Sequence, residues 1–178
     1  MITLVIGGAR SGKSTFAESL IKNETEVCYI ATACITDEEM EDRVKKHREQ
    51  RPKVWRTHEE TCSISTCTGT EKKYLLDDVT NMISNIMFEH THNLEDFDSS
   101  IIEKIESDIV LELSKLIDFI KETDSHLIMV SNEVGLSIVP ENKIARIFRD
   151  IQGRVNSFLA KESDEVYFMV AGIEVKIK

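Results

Sequence analysis

Eight consecutive residues near the start of the chain carry the clearest chemistry. Gly7-Gly8-Ala9-Arg10-Ser11-Gly12-Lys13-Ser14 fits the spacing GxxxxGK[ST], and three of the seven glycines fall inside it. Glycines let a backbone wrap closely around an anion with its N–H groups turned inward, and a helix starting there adds the positive end of its dipole. Lys13 can then reach the β- and γ-phosphates of a nucleotide, and the Ser14 hydroxyl can ligate Mg²⁺. The flanks suit that role, with the apolar run Ile2–Ile6 before the loop and a helical pattern over Lys13–Lys22 after it. The motif names a nucleoside triphosphate and leaves the acceptor open.

Two further groups could act beside it. Tyr74–Leu76 is a short apolar run ending in Asp77-Asp78. Asp77 directly follows the run and is the expected acid that holds the metal's water shell. Residues 43–56 hold seven basic residues and one acid inside a chain of net charge -10. That run contains His47, four residues from Arg43 and so on the same face of a helix. Clustered cations favour the neutral imidazole, which has a ring nitrogen free to attack phosphorus, while arginines neutralise the phosphate oxygens. A solvated basic helix face is the competing reading of the same residues.

Around these groups, the apolar runs that read as buried strands are Ile2–Ile6, Val27–Ala31, Tyr74–Leu76, Leu127–Val130 and Val166–Val170. Helical spacing covers Asp37–Gln50, ending before Pro52, then Ser100–Glu122 and Glu141–Lys161. Tyr167–Val170 and Ile173–Lys178 around Ala171-Gly172 read as a hairpin closing a sheet edge. Strands alternating with helices imply a mainly parallel sheet flanked by helices, an α/β fold. With 178 residues and no linker-like tract, residues 1–178 form a single expected domain.

Composition excludes several function classes. A balance of 22 basic to 32 acidic residues repels nucleic acid, and no apolar run approaches the ~20 residues of a membrane span. The start lacks the positive region of a signal peptide, so the cytoplasm is the expected compartment. The charge is uneven: residues 61–130 are net -9, and both ends are nearly neutral. Cys28, Cys34, Cys62 and Cys67 form no CxxC pair and are expected to be free buried thiols. His90-x-His92 sits in a helix-end pattern and is not read as a metal site.

Further motifs carry a resemblance. Beside the phosphate loop stand Tyr29-Ile30-Ala31-Thr32-Ala33, Arg43-x-x-x-His47-Arg48-x-x-Arg51-Pro52 and Trp55-Arg56-Thr57. Asn132-Glu133-Val134-Gly135, Ile138-Val139-Pro140-Glu141-Asn142, Phe148-Arg149-Asp150 and Gly153-Arg154-Val155-Asn156 follow, with Gly172-Ile173 and Val175-Lys176 at the close. Together they resemble the bifunctional cobinamide kinase/cobinamide-phosphate guanylyltransferase family of adenosylcobalamin synthesis. The resemblance implies a RecA-like P-loop NTPase fold, usually as a homotrimer, and two activities. One phosphorylates adenosylcobinamide with ATP or GTP. The other transfers GMP from GTP to the phosphorylated corrinoid through a guanylylated histidine, which maps to His47, releasing pyrophosphate. The implied nucleotide contacts are the loop residues Gly7, Gly8, Ala9, Arg10, Ser11, Gly12, Lys13 and Ser14, then Ala31, Thr32, Ala33, Arg48, Glu49, Gln50, Arg51, Glu59 and Asp77. Ser14 and Asp77 are the implied Mg²⁺ residues.

Two features depart from the family pattern. Asp77-Asp78 stands where relatives commonly have Asp-Cys, and residues 61–70 are shorter and more polar than the family's helical segment. Two other functions remain open on the residues alone: a small-metabolite P-loop kinase with a merely structural His47, or a nucleotide-switch or assembly ATPase. The Asn132–Asn156 block likewise reads equally as structure, with Asn132 ending a strand and Arg149, Asp150 and Arg154 in ion pairs.

Overall fold

The structure, a computed structural model, describes residues 1–34, 42, 44–45, 48–49, 51–90 and 97–178. Its strands are β1 (Ile2–Gly7), β2 (Val27–Ala31), β3 (Arg56–Glu59), β4 (Lys73–Asp77), β5 (His126–Asn132), β6 (Glu165–Val170) and β7 (Ile173–Lys176). Its helices are α1 (Lys13–Ser19), α2 (Val79–Glu89), α3 (Ser99–Glu122) and α4 (Lys143–Glu162). A 3-10 turn spans Ile64–Cys67.

The seven strands form one sheet in the order β3-β2-β4-β5-β1-β6-β7. All neighbours are parallel except β6 and β7, which make the expected antiparallel hairpin. Its two turn residues, Ala171 and Gly172, both have positive φ, as a tight hairpin turn requires. β5 lies between the phosphate-loop strand β1 and the Asp77 strand β4, the RecA-like arrangement that the resemblance implies.

Strand side chains alternate between two apolar layers. Ile2, Leu4, Cys28, Ile30, Tyr74, Leu76, Leu127 and Met129 pack with α2, α3 and α4 on one face. Val5, Val27, Tyr29, Leu75, Ile128 and Val130 pack with Ala17 of α1 and with Trp55 on the other. In α3 the stripe Ile105, Ile109, Leu113, Leu116 and Ile120 is fully buried, and Ile101 is half-buried. Short polar side chains fix the helix starts: Asp98 accepts from Ile101 N at 2.9 Å, and Asn142 from Ala145 N at 3.0 Å.

Several boundaries differ from the sequence expectation. α1 stops at Ser19, short of Lys22. The last helix starts at Lys143, because Asn142 supplies the cap and Pro140 lies in the loop before it. Two elements were not expected at all, the polar edge strand β3 and the helix α2. Only Cys28 and Cys67 are fully buried, whereas Cys62 is half-buried and Cys34 exposed. Among the described residues no helix is long and apolar enough to cross a membrane.

Candidate active site

The phosphate loop joins β1 to α1 as the sequence predicts, and two glycines show why. Gly12 caps α1 with φ at 94°, in the left-handed region that glycine tolerates. A Cβ on Gly7 would lie 2.6 Å from the Met169 carbonyl oxygen and 2.8 Å from Ser11 Oγ, so the neighbouring strand closes off any side chain there. Lys13 is 7% exposed, and its ammonium donates to Gly8 O at 2.6 Å, folding the side chain over the loop.

Sheet order carries the acid to the loop. Ser14 Oγ donates to Asp77 Oδ1 at 3.1 Å, so a hydroxyl and a carboxylate meet across the tip of the intervening strand β5. Both are hard oxygen ligands of the kind Mg²⁺ takes. Asp77 Oδ2 also accepts a short hydrogen bond from the Tyr29 hydroxyl. Burial first, and then the Asp77 charge, push the Tyr29 phenol well above its usual range, which keeps it a proton donor to the carboxylate. The Arg51 guanidinium lies over the Tyr29 ring, 3.2 Å from its centroid, and donates to Thr57 Oγ1 at 2.8 Å. Ser14, Asp77, Tyr29 and Arg51 therefore form one connected chain.

Asp78 is occupied differently. Its side chain caps α2 by accepting from Asn81 N at 2.7 Å, and Asp78 Oδ2 accepts from Asn132 Nδ2 at 3.3 Å. The extra carboxylate is thus a helix cap. Thr32 is fully buried, and its Oγ1 donates to Asp78 O at 2.7 Å and accepts from Asp78 N at 3.0 Å. Expected as a nucleotide contact, Thr32 is not among the residues lining the cleft, and its side chain clamps the backbone beside Asp77.

A cleft of about 380 Å³ gathers these parts. Of the expected residues, Ala9, Arg10, Lys13, Ser14, Ala31, Ala33, Arg48, Arg51, Glu59 and Asp77 line it. Arg48 and Glu59 form an ion pair, each about half exposed. Glu49 is exposed and does not line the cleft. His47, Gln50 and Arg43 lie outside the described residues, as do His92 and most of the expected helix Asp37–Gln50. Its described members Asp42, Val44, Lys45, Arg48 and Glu49 are helical, and Val44 lines the cleft.

Tyr29, Asn81, Asn132, Glu133 and Val134 also line the cleft, although the sequence did not single them out as cleft residues. A phenol inside an apolar strand was a usable signal for Tyr29. The two ends of the Asn132–Asn156 block meet, with Ser131, in a buried polar network. Ser131 Oγ donates to Asn156 Oδ1 at 2.6 Å, and Gln152 Nε2 donates to both Ser131 Oγ (2.9 Å) and Asn156 Oδ1 (3.0 Å). Asn156 Nδ2 then donates to Asn132 O at 3.0 Å. Arg149 pairs with Asp150 as expected, whereas Arg154 pairs with Glu106 of α3.

Comparison with known proteins agrees with this geometry. The profile of a family described as "Cobinamide kinase / cobinamide phosphate guanyltransferase" matches residues 3–177. The "Bifunctional adenosylcobalamin biosynthesis protein CobU" of Escherichia coli is 42% identical, and that of Salmonella typhimurium 43%, each over 100% of both chains. The "Bifunctional adenosylcobalamin biosynthesis protein CobP" of Pseudomonas aeruginosa is 33% identical over 100% of this chain and 98% of its own. A KaiC-like protein of Pyrococcus horikoshii overlays 94% of this chain and 69% of its own at a TM-score of 0.46 and 12% identity, too loose a likeness to carry an argument. With a match along nearly its whole length, the chain belongs to the cobinamide kinase / cobinamide phosphate guanyltransferase family.

Proposed function

We propose that this protein is a bifunctional enzyme of cobalamin biosynthesis that phosphorylates adenosylcobinamide and then transfers GMP from GTP to the adenosylcobinamide phosphate. The observation that carries this reading is a cleft that joins the phosphate loop, Asp77 and the arginines Arg48 and Arg51. Loop N–H groups and Lys13 bind the β- and γ-phosphates of ATP or GTP. Ser14 and Asp77 would hold Mg²⁺, which supplies charge neutralisation to the phosphates when bound.

In guanylyl transfer a neutral His47 nitrogen attacks the α-phosphorus of GTP. A nitrogen–phosphorus bond forms and the bond to pyrophosphate breaks. A phosphate oxygen of the corrinoid then attacks the same phosphorus, the nitrogen–phosphorus bond breaks, and adenosylcobinamide-GDP leaves. Arg48 and Arg51 offset the charge on the transferred group. Residues 1–178 act as one domain, and substrates of this kind set the work in the cytoplasm. The homotrimer implied by the family resemblance belongs to this reading. Exposed Val170, Ile173, Val175 and Ile177 on and around the C-terminal hairpin offer apolar surface for such contacts.

The test is incubation with α-labelled GTP and Mg²⁺. Label held by the protein should be acid-labile and base-stable, as a phosphoramidate is. His47→Asn should take up none. A wild type that acquires no label, or a variant that labels equally, overturns the guanylyl-transfer mechanism.

A further inference from the structure

Four carboxylates line the cleft among its described residues: Glu59, Asp77, Asp78 and Glu133. Asp77 is held by Ser14 and Tyr29, and Asp78 by Asn81 N and Asn132 Nδ2. Glu59 is paired with Arg48 and stands on β3, the strand at the far edge of the sheet from the phosphate loop. Glu133 is placed differently. Its backbone N–H donates to Gly7 O at 3.0 Å, so it starts from the first residue of the loop itself.

That anchor is rigid. Asn132, immediately before it, pairs in register with Gly7 and donates from its backbone N–H to Thr80 Oγ1 at 2.9 Å. Asn132 O is held by Asn156 at 3.0 Å. The Glu133 carboxylate accepts from Gly135 N at 2.5 Å, one hydrogen bond for a group with about four acceptor positions. The result is a cleft-lining acid whose backbone is anchored on the first residue of the loop that would hold the transferable phosphate.

The two proposed reactions differ in their need for such a group. The acceptor in guanylyl transfer is a phosphate monoester, already ionised near neutral pH. The acceptor in the kinase step is an alcohol, whose proton must leave as its oxygen attacks. We propose that Glu133 is the general base of the kinase step. As the acceptor hydroxyl oxygen attacks the γ-phosphorus, an oxygen–phosphorus bond forms and the bond to the β,γ-bridging oxygen breaks. The bridging oxygen leaves with the electron pair as part of the nucleoside diphosphate. The hydroxyl proton passes to the Glu133 carboxylate and from there to solvent. This role rests on the kinase half of the proposed function.

The test compares wild type, Glu133→Gln and Glu133→Asp in two assays, phosphorylation of cobinamide by γ-labelled ATP and self-labelling by α-labelled GTP. Glu133→Gln should lower the kcat for phosphorylation about 100-fold or more. Its KM for ATP should stay within about two-fold of wild type, and self-labelling should continue. Glu133→Asp should recover part of the loss. The acid limb of the wild-type pH–rate profile should be absent from Glu133→Gln. A Glu133→Gln enzyme that phosphorylates at the wild-type rate, keeps the acid limb, or loses both activities in parallel overturns the assignment. A wild type that labels itself from GTP but never phosphorylates cobinamide removes the kinase reading itself. That failure is seen in the unmutated protein and so is distinct from a failure of Glu133.

Discussion

Acidification is expected to weaken the fold through His126, the first residue of β5. The residue is 8% exposed, and its Nε2 lies 3.0 Å from Thr3 Oγ1 on the neighbouring strand β1. Burial is the largest influence on the ring, followed by the charges of Lys73 on β4 and the N-terminal ammonium. Against the opposing pull of Glu165 and Asp164, they bring its pKa from 6.5 down to about 4. Between those values the unfolded chain binds more protons than the folded one, so stability rises with pH there. The contribution is complete above the unfolded value and is lost as pH falls toward the folded one. A tenfold difference in proton affinity between the two states is worth about 1.4 kcal/mol, so a drop from pH ~7.5 to ~5 should remove about 2 kcal/mol through this side chain. Urea unfolding of wild type and His126→Gln at both pH values measures it. The wild type should lose about 2 kcal/mol more than the variant, which keeps a neutral polar group at the site. Equal losses in the two proteins would refute the reasoning.

Three substitutions test other parts of the frame, one of them with a control. Gly7→Ala forces a Cβ against the Met169 carbonyl oxygen at 2.6 Å, and should cost about 2 kcal/mol or more and weaken nucleotide binding. Its control, Gly8→Ala, with nothing within 4 Å, should leave the melting temperature close to wild type. Asn156→Leu strips partners from Ser131, Gln152 and the Asn132 carbonyl, and should lower stability by about 2–4 kcal/mol in urea unfolding. An unchanged midpoint would show that the network contributes nothing. Tyr29→Phe removes the hydroxyl donated to Asp77 while keeping the ring beneath Arg51, and should cost about 1–2 kcal/mol by the same measurement.

The phosphate loop was legible because its chemistry is local: glycines, lysine and serine act at fixed offsets between one strand and one helix. The buried parallel strands were legible too, since a strand covered on both faces reads as an unbroken apolar run. β3 was not, because Arg56-Thr57-His58-Glu59 is a polar edge strand whose definition comes from pairing with β2. α2 carried its signal openly, with Asp78 as cap and Val79, Met82, Ile83, Ile86 and Met87 as an apolar face. Reading Asp77 as the metal acid and Asp78 only as an extra carboxylate hid it. The link from Tyr29 to Asp77 could not be read at all, since 48 residues separate them and only the pairing of β2 with β4 brings them together.

Trp55 gives the protein a built-in optical reporter. It is the only tryptophan in the chain, it is 5% exposed, and its indole N–H donates to Glu24 O at 2.8 Å. It shares an apolar layer with the cleft residue Tyr29 and stands four residues after Arg51. Its emission therefore comes from one known place, in the layer of the core that also holds Tyr29. Titrating GTP or ATP while following that emission would register, without any added dye or label, whether this layer shifts when the phosphates arrive.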